Sequence, residues 1–290
     1  MKKICVIGGS GFLGSHVSDE LTKSGFEVTI FDSSPSPWII GGKQKIVIGD
    51  ILDFDTLLKV TKDCLAVYNF AAISDIEVAM ENPLNTAKIN ILGNISALEA
   101  CIKNNVSRYV FASSVYVNSR EGGFYKCSKR AAEDFILEYK KKYDFDFTII
   151  RYGSLYGPRS DIHNGLWRII NNALKNKTIQ YQGNPESMRE YIHVIDAARA
   201  SVAILKQDFK NEKITLTGQE AIKVDDLLKM LAEILGLAQE VSYLPTPRQG
   251  HYVRTPYAYE SDLSRKYIPD LHIDLGQGLL SLIESFNSTT

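Results

Sequence analysis

Short apolar runs alternate with longer amphipathic stretches along the first half of the chain. The apolar runs, rich in Val, Ile and Phe, predict strands at residues 4–7, 28–31, 45–48, 66–70, 109–112 and 147–151. The stretches between them predict helices, among them 15–24, 56–61, 83–104 and 125–143. Near-continuous apolar strands separated by helices indicate a parallel sheet covered on both faces. We therefore predict an α/β fold built on a doubly wound parallel sheet.

The alternation weakens in the second half of the 290-residue chain. Turn-forming residues interrupt it at 157–158, 183–185 and 245–247. We predict a first domain at residues 1–155 and a smaller carboxy-terminal α/β lobe at 156–290, with about 190–205 returning to the first domain.

Charge and cysteine content narrow the class of protein. The formal net charge is −1 and no long run of Lys and Arg occurs, so we predict no nucleic-acid partner. No apolar run approaches the ~18 residues of a membrane span, so we predict no membrane insertion. The cysteines lie far apart, without metal-ligand spacing, at Cys5, Cys64, Cys101 and Cys127. This pattern predicts no metal site and a reducing compartment, namely the cytoplasm.

A glycine-rich loop follows the first predicted strand and leads into the first predicted helix. Gly8, Gly11 and Gly14 satisfy one glycine pattern, and Gly9 in place of Gly8 satisfies another. A strand, a glycine loop and a helix amino terminus together form the pyrophosphate site of a Rossmann fold. We predict that a dinucleotide contacts this loop at Gly8, Gly11, Phe12, Leu13 and Gly14. The alternative is a glycine-rich turn without a ligand.

An acidic residue ends the second predicted strand, eighteen residues after the last glycine of the loop. The carboxylate of Asp32 could accept both ribose hydroxyls of NAD, and it would repel the 2′-phosphate of NADP. The next residues, 33–35, bring no Arg or Lys that could neutralise such a phosphate. We therefore predict NAD as the cofactor; the alternative for Asp32 is a loop-capping carboxylate.

A tyrosine and a lysine four residues apart lie on one face of a predicted helix. At this spacing the ammonium of Lys129 can approach Tyr125 and, together with the positive nicotinamide ring, favour tyrosinate and lower the phenol pKa. Tyr125 could then accept a proton from a substrate hydroxyl while hydride leaves the same carbon. Ser113 and Ser114 end the preceding strand, where one serine could hydrogen-bond the reacting oxygen and the other serve the turn. By itself the Tyr/Lys spacing is also typical of a solvated helix face.

The ordered series of these features resembles the extended short-chain dehydrogenase/reductase family, in its nucleotide-sugar epimerase/dehydratase branch. The series comprises 8–14, Asp32, 49–51, 69–72, Asn90, 111–114, 125–129, 151–158 and 189–196. The resemblance implies a catalytic set formed by Ser114, Tyr125 and Lys129. It also implies cofactor contacts beside the adenine from Asp50 and Ile51, and further cofactor contacts from Phe70, Ala71, Ala72, Asn90, Tyr125 and Lys129.

The resemblance implies that substrate-binding residues lie in the second half of the chain. Arg189 opens a segment similar to the one whose arginine contacts the nucleotide diphosphate in this family, and Arg248 resembles a second such arginine. Guanidinium groups suit diphosphate oxygens; on spacing alone, a surface salt bridge is the alternative for Arg189. Ser154 is assigned to the same substrate site. The predicted substrate is a nucleotide-diphosphate sugar.

Departures from the family pattern bear on the reaction. Val115 and Tyr116 follow Ser114 where dehydratases of this branch carry Asp-Glu, and decarboxylases carry a Glu there. The remaining chemistry is C4 epimerisation through transient oxidation, with Tyr125 as the base. Net oxidation or reduction at C4 is the alternative, a 4,6-dehydratase ranks lower, and an NAD-binding sensor or scaffold is the non-enzymatic option. Only residues 115–124 separate Ser114 from Tyr125, which predicts an open or unusually shaped pocket.

The resemblance also implies a homodimer. Residues 83–104 and 125–143 resemble the two helices that pair across the family's dimer axis. Apolar residues at helical spacing could serve either that interface or the core: Ile91, Ile95, Leu98 and Ile102.

Overall fold

The computed structural model describes residues 2–237, 241–244, 250–256, 265–267 and 271–287. Strands β1 to β13 are, in chain order, Lys3–Ile7, Glu27–Asp32, Gln44–Ile48, Cys64–Asn69, Arg108–Ser114, Phe147–Tyr152, Ser154–Tyr156, Ile179–Tyr181, Met188–His193, Glu212–Leu216, Ala221–Lys223, Val241–Tyr243 and Arg265–Lys266. Helices α1 to α10 are Phe12–Lys23, Phe54–Thr61, Ile76–Glu81, Pro83–Ala87, Gly93–Lys103, Gly123–Tyr143, Gly165–Asn176, Val194–Ala203, Val224–Ile234 and Leu275–Asn287.

The central sheet confirms the predicted fold class. Its strands are parallel and follow the order β13-β10-β6-β5-β4-β1-β2-β3, and every strand predicted from the apolar runs belongs to it. The order reverses direction between β1 and β4. Ligands of doubly wound sheets bind outside the carboxyl ends of the strands at such a reversal. The fold therefore places the glycine loop, which follows β1, at the expected binding edge.

Helices cover both faces of this sheet. On one face α1 and α8 bury apolar residues, among them Val17 and Ala197, against the strands. On the other face α2, α5 and α6 contribute Leu57, Leu98 and Ile136, each fully buried. Burial on two sides explains why the strands lack polar alternation.

The predicted single helix over 83–104 contains an irregularity. A π turn, Lys88–Leu92, joins α4 to α5. Directly after it, Gly93 lies against Ile51: a Cβ at Gly93 would come within 2.6 Å of the Ile51 Cγ2 atom. Glycine here lets α5 approach the loop after β3. The short helix α3 has no counterpart among the predicted helices.

The second half contributes to both parts of the fold. Helix α8 packs on α1, and β10 and β13 extend the central sheet beyond β6. A separate core forms the smaller lobe, with Tyr156, Ile170, Leu228 and Leu279 among its buried members. The domain boundary between residues 155 and 156 stays a prediction. The sequence did not indicate that β10 and β13, from the second half, join the central sheet.

The described ranges contain neither a candidate membrane-spanning helix nor a candidate metal cluster. Within them, the helices are all too short or too polar to traverse a bilayer. The same ranges hold no cluster of three or more His, Cys, Asp or Glu side chains suited to a metal ion.

Candidate active site

The glycine loop folds so tightly that two of its glycines have no substitute. Gly8 has a φ of +77°, and a Cβ there would lie 2.5 Å from the backbone nitrogen of Ala71. A Cβ at Gly14 would lie 2.2 Å from the carbonyl oxygen of Gly8. Gly8 and Gly14 therefore let the loop pack against β4 and against the start of α1.

Gly11 has a different role, because the space beside it is open. It is the N-cap of α1, and a Cβ there would meet only the Gly8 carbonyl oxygen, at 3.5 Å. The first N–H groups of a helix have no partner within the helix, so those of Phe12, Leu13 and Gly14 are suited to an anion. This open cradle fits the pyrophosphate of a dinucleotide.

The cradle belongs to a cavity of about 680 Å³, which we call the first cavity. It extends from the glycine loop past the ends of β2 and β3 to α6. Among its lining residues are most of the predicted cofactor contacts: Gly8, Gly11, Phe12, Leu13, Gly14, Asp32, Asp50, Ile51, Phe70, Ala71, Ala72, Tyr125 and Lys129. One continuous cavity thus brings together residues that are far apart in sequence.

Asp32 lies at the rim of the first cavity, and both of its carboxylate oxygens accept backbone hydrogen bonds. The N–H of Ser10 donates to one oxygen at 2.9 Å, and the N–H of Ser34 donates to the other at 3.1 Å. The loop-capping alternative is therefore part of what Asp32 does. The cavity position still allows this carboxylate to face a ribose.

Asn90 does not line the first cavity, so its predicted direct contact with the cofactor finds no support in this geometry. Its side chain accepts from the Ile73 N–H at 2.8 Å and donates to the Ile73 carbonyl at 3.0 Å and to the Ser128 hydroxyl at 2.9 Å. Asn90 therefore joins the loop after β4 to α6, one layer behind the cavity.

The predicted catalytic residues meet between the end of β5 and the first turns of α6. Ser114, Tyr125 and Lys129 are all buried, and Ser114 is hydrogen-bonded to Tyr125. The Lys129 ammonium donates to the Ala112 carbonyl at 2.7 Å and lies 6.0 Å from the centre of the Tyr125 ring. The fold thus assembles a hydroxyl, a phenol and an ammonium around one point.

Two opposing effects act on the pKa of Tyr125 in this structure. Burial raises the pKa of Tyr125, and the hydrogen bond with Ser114 acts in the opposite direction. Burial also lowers the pKa of Lys129 to about 7, while the carboxylate of Glu133 acts to raise it. The Tyr/Lys spacing predicted the pair's proximity, but burial, which the spacing does not reveal, has the larger effect.

Ser113 faces a different partner from Ser114. Its hydroxyl donates to the Glu133 carboxylate at 2.5 Å, and Arg151 forms a two-pronged ion pair with the same carboxylate. Sequence reasoning did not identify Glu133 or the role of Arg151. The spacing of four residues from Lys129 to Glu133 was the one available signal.

A second cavity, of about 730 Å³, opens between the sheet and the smaller lobe. It shares four lining residues with the first cavity: Ser74, Ser114, Gly153 and Leu155. Ser114 therefore stands where the two cavities meet. A substrate in the second cavity could present a hydroxyl to Ser114 and Tyr125 while the first cavity holds a cofactor.

Two of the three predicted substrate residues line the second cavity. The Arg189 guanidinium lies 4.3 Å from the Tyr252 ring centre and donates to the Met188 carbonyl at 3.0 Å. The Ser154 hydroxyl lies 3.3 Å from the Tyr252 hydroxyl. Arg248 lies outside the described residues.

An aromatic wall, formed by Tyr116, His251 and Tyr252, borders the second cavity beside Ser114. The Tyr116 hydroxyl lies 3.0 Å from His251 Nδ1, and the Tyr116 and Tyr252 ring centres are 4.7 Å apart. No sequence signal indicated His251, because it lies 135 residues from Tyr116. The wall joins Tyr116, from the short 115–124 connection, to two residues far along the chain.

Comparison with known proteins places this site in a family. A sequence model of the NAD dependent epimerase/dehydratase family matches residues 4–216. A candidate UDP-glucose 4-epimerase of Methanocaldococcus jannaschii is 31% identical, over 97% of either chain. A UDP-N-acetyl-alpha-D-glucosaminuronate decarboxylase of Bacillus cytotoxicus is 25% identical over 93% of this chain and 90% of its own.

A solved structure extends the likeness to three dimensions. The UDP-glucose 4-epimerase of Thermotoga maritima, determined with UDP-glucose, superposes with a TM-score of 0.83, at 26% identity over 99% of both chains. The resemblance predicted from the ordered motifs is confirmed, as are the enzyme class and the NAD cofactor that the family's description names. This chain belongs to the NAD-dependent epimerase/dehydratase family.

Proposed function

We propose that this protein is an NAD-dependent nucleotide-sugar 4-epimerase, with a UDP-sugar as its substrate. The observation that carries the proposal is the catalytic set itself: Ser114 lines both cavities, and Tyr125 and Lys129 line the first cavity beside it. The names of the Methanocaldococcus and Thermotoga relatives support the same activity.

The glycine loop and Asp32 would hold the cofactor, and the other predicted contacts around the first cavity would enclose it. When bound, NAD supplies the carbon that takes up and returns hydride, and its ring charge adds to that of Lys129 in favouring tyrosinate.

Proton transfer is assigned to Tyr125. Its phenol oxygen accepts the proton of the sugar 4-hydroxyl and returns it after the sugar has presented its other face. Ser114, bonded to Tyr125, donates a hydrogen bond to the same sugar oxygen and orients it. Lys129 would stabilise the negative tyrosinate form of Tyr125, which is the form that accepts this proton.

The lyase alternatives need an acid/base carboxylate beside Ser114, and Val115 and Tyr116, which follow it, carry none. Val115 is 2% exposed, and the hydroxyl of Tyr116 is bonded to His251. Net oxidation or reduction at C4 needs the same residues as epimerisation and is the second candidate. A sensor or scaffold would not need the assembled set of Ser114, Tyr125 and Lys129.

Substrate binding is assigned to the second cavity. Arg189 and Ser154 line it, and with Arg248 they would hold the diphosphate and the sugar. The relatives named for UDP-sugars support uridine as the base.

A homodimer and a cytoplasmic location complete the proposal. Leu84, Leu92 and Phe135 expose 70%, 53% and 41% of their surface on the α4–α6 side. Such apolar exposure supports a pairing face on these helices. The cysteines are free thiols, with Cys5, Cys64 and Cys101 buried, which supports a reducing compartment.

A panel of nucleotide sugars tests the function. Purified protein with NAD should convert one UDP-hexose into its C4 epimer, with no net accumulation of NADH. Steady NADH formation would favour the dehydrogenase alternative, and loss of the 6-hydroxyl or of carbon dioxide from the sugar would favour a lyase.

A further inference from the structure

One carboxylate joins three elements behind the catalytic set. Glu133, on α6, accepts hydrogen bonds from Arg151 Nε at 3.0 Å and Arg151 Nη2 at 2.7 Å, across the gap to β6. It also accepts the Ser113 hydroxyl at 2.5 Å, from β5. The side chains of Glu133 and Arg151 are each 3% exposed.

Ser113 and Glu133 are each close in sequence to a member of the catalytic set. Ser113 precedes Ser114 on β5, and Glu133 follows Lys129 by one helical turn on the same face of α6 as Tyr125. A shift of the Glu133 carboxylate would therefore move α6 relative to the end of β5. That displacement is the one that would separate Tyr125 from Ser114.

Stability alone does not account for burying this ion pair. Desolvation of two charges offsets most of their attraction, and replacing such a pair by well-packed apolar side chains is often neutral or stabilising. We attribute this pair to a structural specificity, namely a defined position of the elements that carry it. Here it specifies the register of α6 against β5 and β6, and it places a negative charge near Lys129.

Among the neighbours of Lys129, Glu133 is the anionic group that favours its protonated form. From β5 it faces the Phe111 ring, 4.9 Å from its ammonium, and the Ala112 carbonyl; from α6 it faces Tyr125 and Glu133. Burial lowers the pKa of Lys129 to about 7, and Glu133 is the charge that raises it. Arg151, on β6, reaches this region through its pair with Glu133.

We propose that Glu133 is a positioning residue of the catalytic set, anchored by Arg151 and Ser113, which keeps Lys129 charged and α6 in register with Ser114. The inference rests on the proposed function for the role of Lys129. It assigns to Glu133 no contact with substrate or cofactor.

Two variants and one control test this role. Glu133→Gln removes the charge at nearly constant shape but leaves Arg151 buried without its counter-charge, which risks misfolding. The double variant Glu133→Met/Arg151→Met replaces the whole pair by apolar side chains and is expected to fold. Glu138→Gln removes a carboxylate from the exposed side of the same helix, where Glu138 pairs with Lys141, and serves as the control.

The primary measurement is the titration of the Lys129 ammonium by NMR of lysine-labelled protein, assigned with Lys129→Met. We expect the midpoint to fall most in Glu133→Gln, which leaves the Arg151 cation in place, to fall less in the double variant, which removes both charges, and to stay constant in Glu138→Gln. Turnover should fall at least about tenfold at pH values above the new midpoint, while KM changes little.

An unchanged Lys129 midpoint in the folded double variant would overturn the proposal, as would wild-type turnover across the pH range. The titration is read without substrate. A wild-type protein that altered no nucleotide sugar would therefore contradict the proposed function, and the shifted midpoint would still support the link between Glu133 and Lys129.

Discussion

The carboxylate of Asp32 accepts a hydrogen bond of 2.9 Å from the backbone N–H of Ser10. This bond ties the end of β2 to the glycine loop, so one side chain both shapes the loop and faces the first cavity. The two roles are separable, because an amide can accept the loop hydrogen bond without carrying the charge.

Asp32→Asn should reduce the preference for NAD over NADP. The amide oxygen can still accept from Ser10, while the charge that repels a 2′-phosphate is lost; such like-charge contacts cost several kcal/mol. We expect the ratio of the NADPH and NADH dissociation constants to fall by at least about tenfold, measured by fluorescence titration. Equal or tighter binding of NADPH by the unmodified protein would contradict the NAD assignment.

Arg189→Met should weaken binding of the nucleotide sugar and leave binding of the cofactor unchanged. Charge-assisted hydrogen bonds to a diphosphate are worth about 1.5–3 kcal/mol, so KM should rise about 10- to 100-fold. The KM of Arg189→Lys should lie between those of the wild type and Arg189→Met, because an ammonium carries a charge but lacks the two-pronged guanidinium geometry. Arg199→Met, at an exposed guanidinium on α8, is the matched control. An unchanged KM in Arg189→Met would remove Arg189 from the substrate site.

Leu92→Glu combined with Phe135→Glu should convert the protein to a monomer. Both side chains are exposed on the proposed pairing face, where a buried carboxylate would be strongly unfavourable. Light scattering at micromolar concentration measures the change. Ile48→Glu, at a residue 52% exposed on β3 at the sheet edge, should leave the mass unchanged. A monomeric wild-type protein would contradict the homodimer.

Mild acid should destabilise the fold through a buried histidine. Burial lowers the pKa of His193 from 6.5 to about 4, so between these values the unfolded chain binds the proton and the folded one does not. Stability from this group is present above pH 6.5 and is lost as the pH falls towards 4, by about 2 to 3 kcal/mol between pH 7 and 4.5. His193→Asn keeps an N-cap acceptor for the Ile195 N–H. Its free energy of unfolding, measured with urea, should therefore fall by about 2 to 3 kcal/mol less than that of the wild type between pH 7 and 4.5. Equal pH dependence in both proteins would refute the assignment.

The residues that the sequence could predict are those whose role follows from neighbours close in the chain and from their spacing. Gly8 to Gly14 follow a strand and precede a helix, and Tyr125 and Lys129 share a helix face at a spacing of four. The positions of the six predicted strands could be found in the same way, because burial on both faces selects continuous apolar runs. These features need no knowledge of tertiary contacts.

The features that escaped prediction depend on which elements become neighbours. Glu133 and Arg151 meet only because α6 packs against β6, and Tyr116 meets His251 across 135 residues. The amide of Asn90 is engaged by Ile73 and Ser128, partners that its position in the sequence does not reveal, and its contact with the cofactor stays a prediction. Burial, which sets the pKa direction of Tyr125, also has no local signature.

The most direct test of the account compares Tyr125→Phe with the wild type on the same UDP-hexose. The substitution removes the phenol oxygen and keeps the ring, so NADH should bind with nearly unchanged affinity. C4 epimerisation should fall by about 10²- to 10⁴-fold, as expected for loss of a general base. Epimerisation at the wild-type rate in Tyr125→Phe would contradict the assignment of proton transfer to this residue.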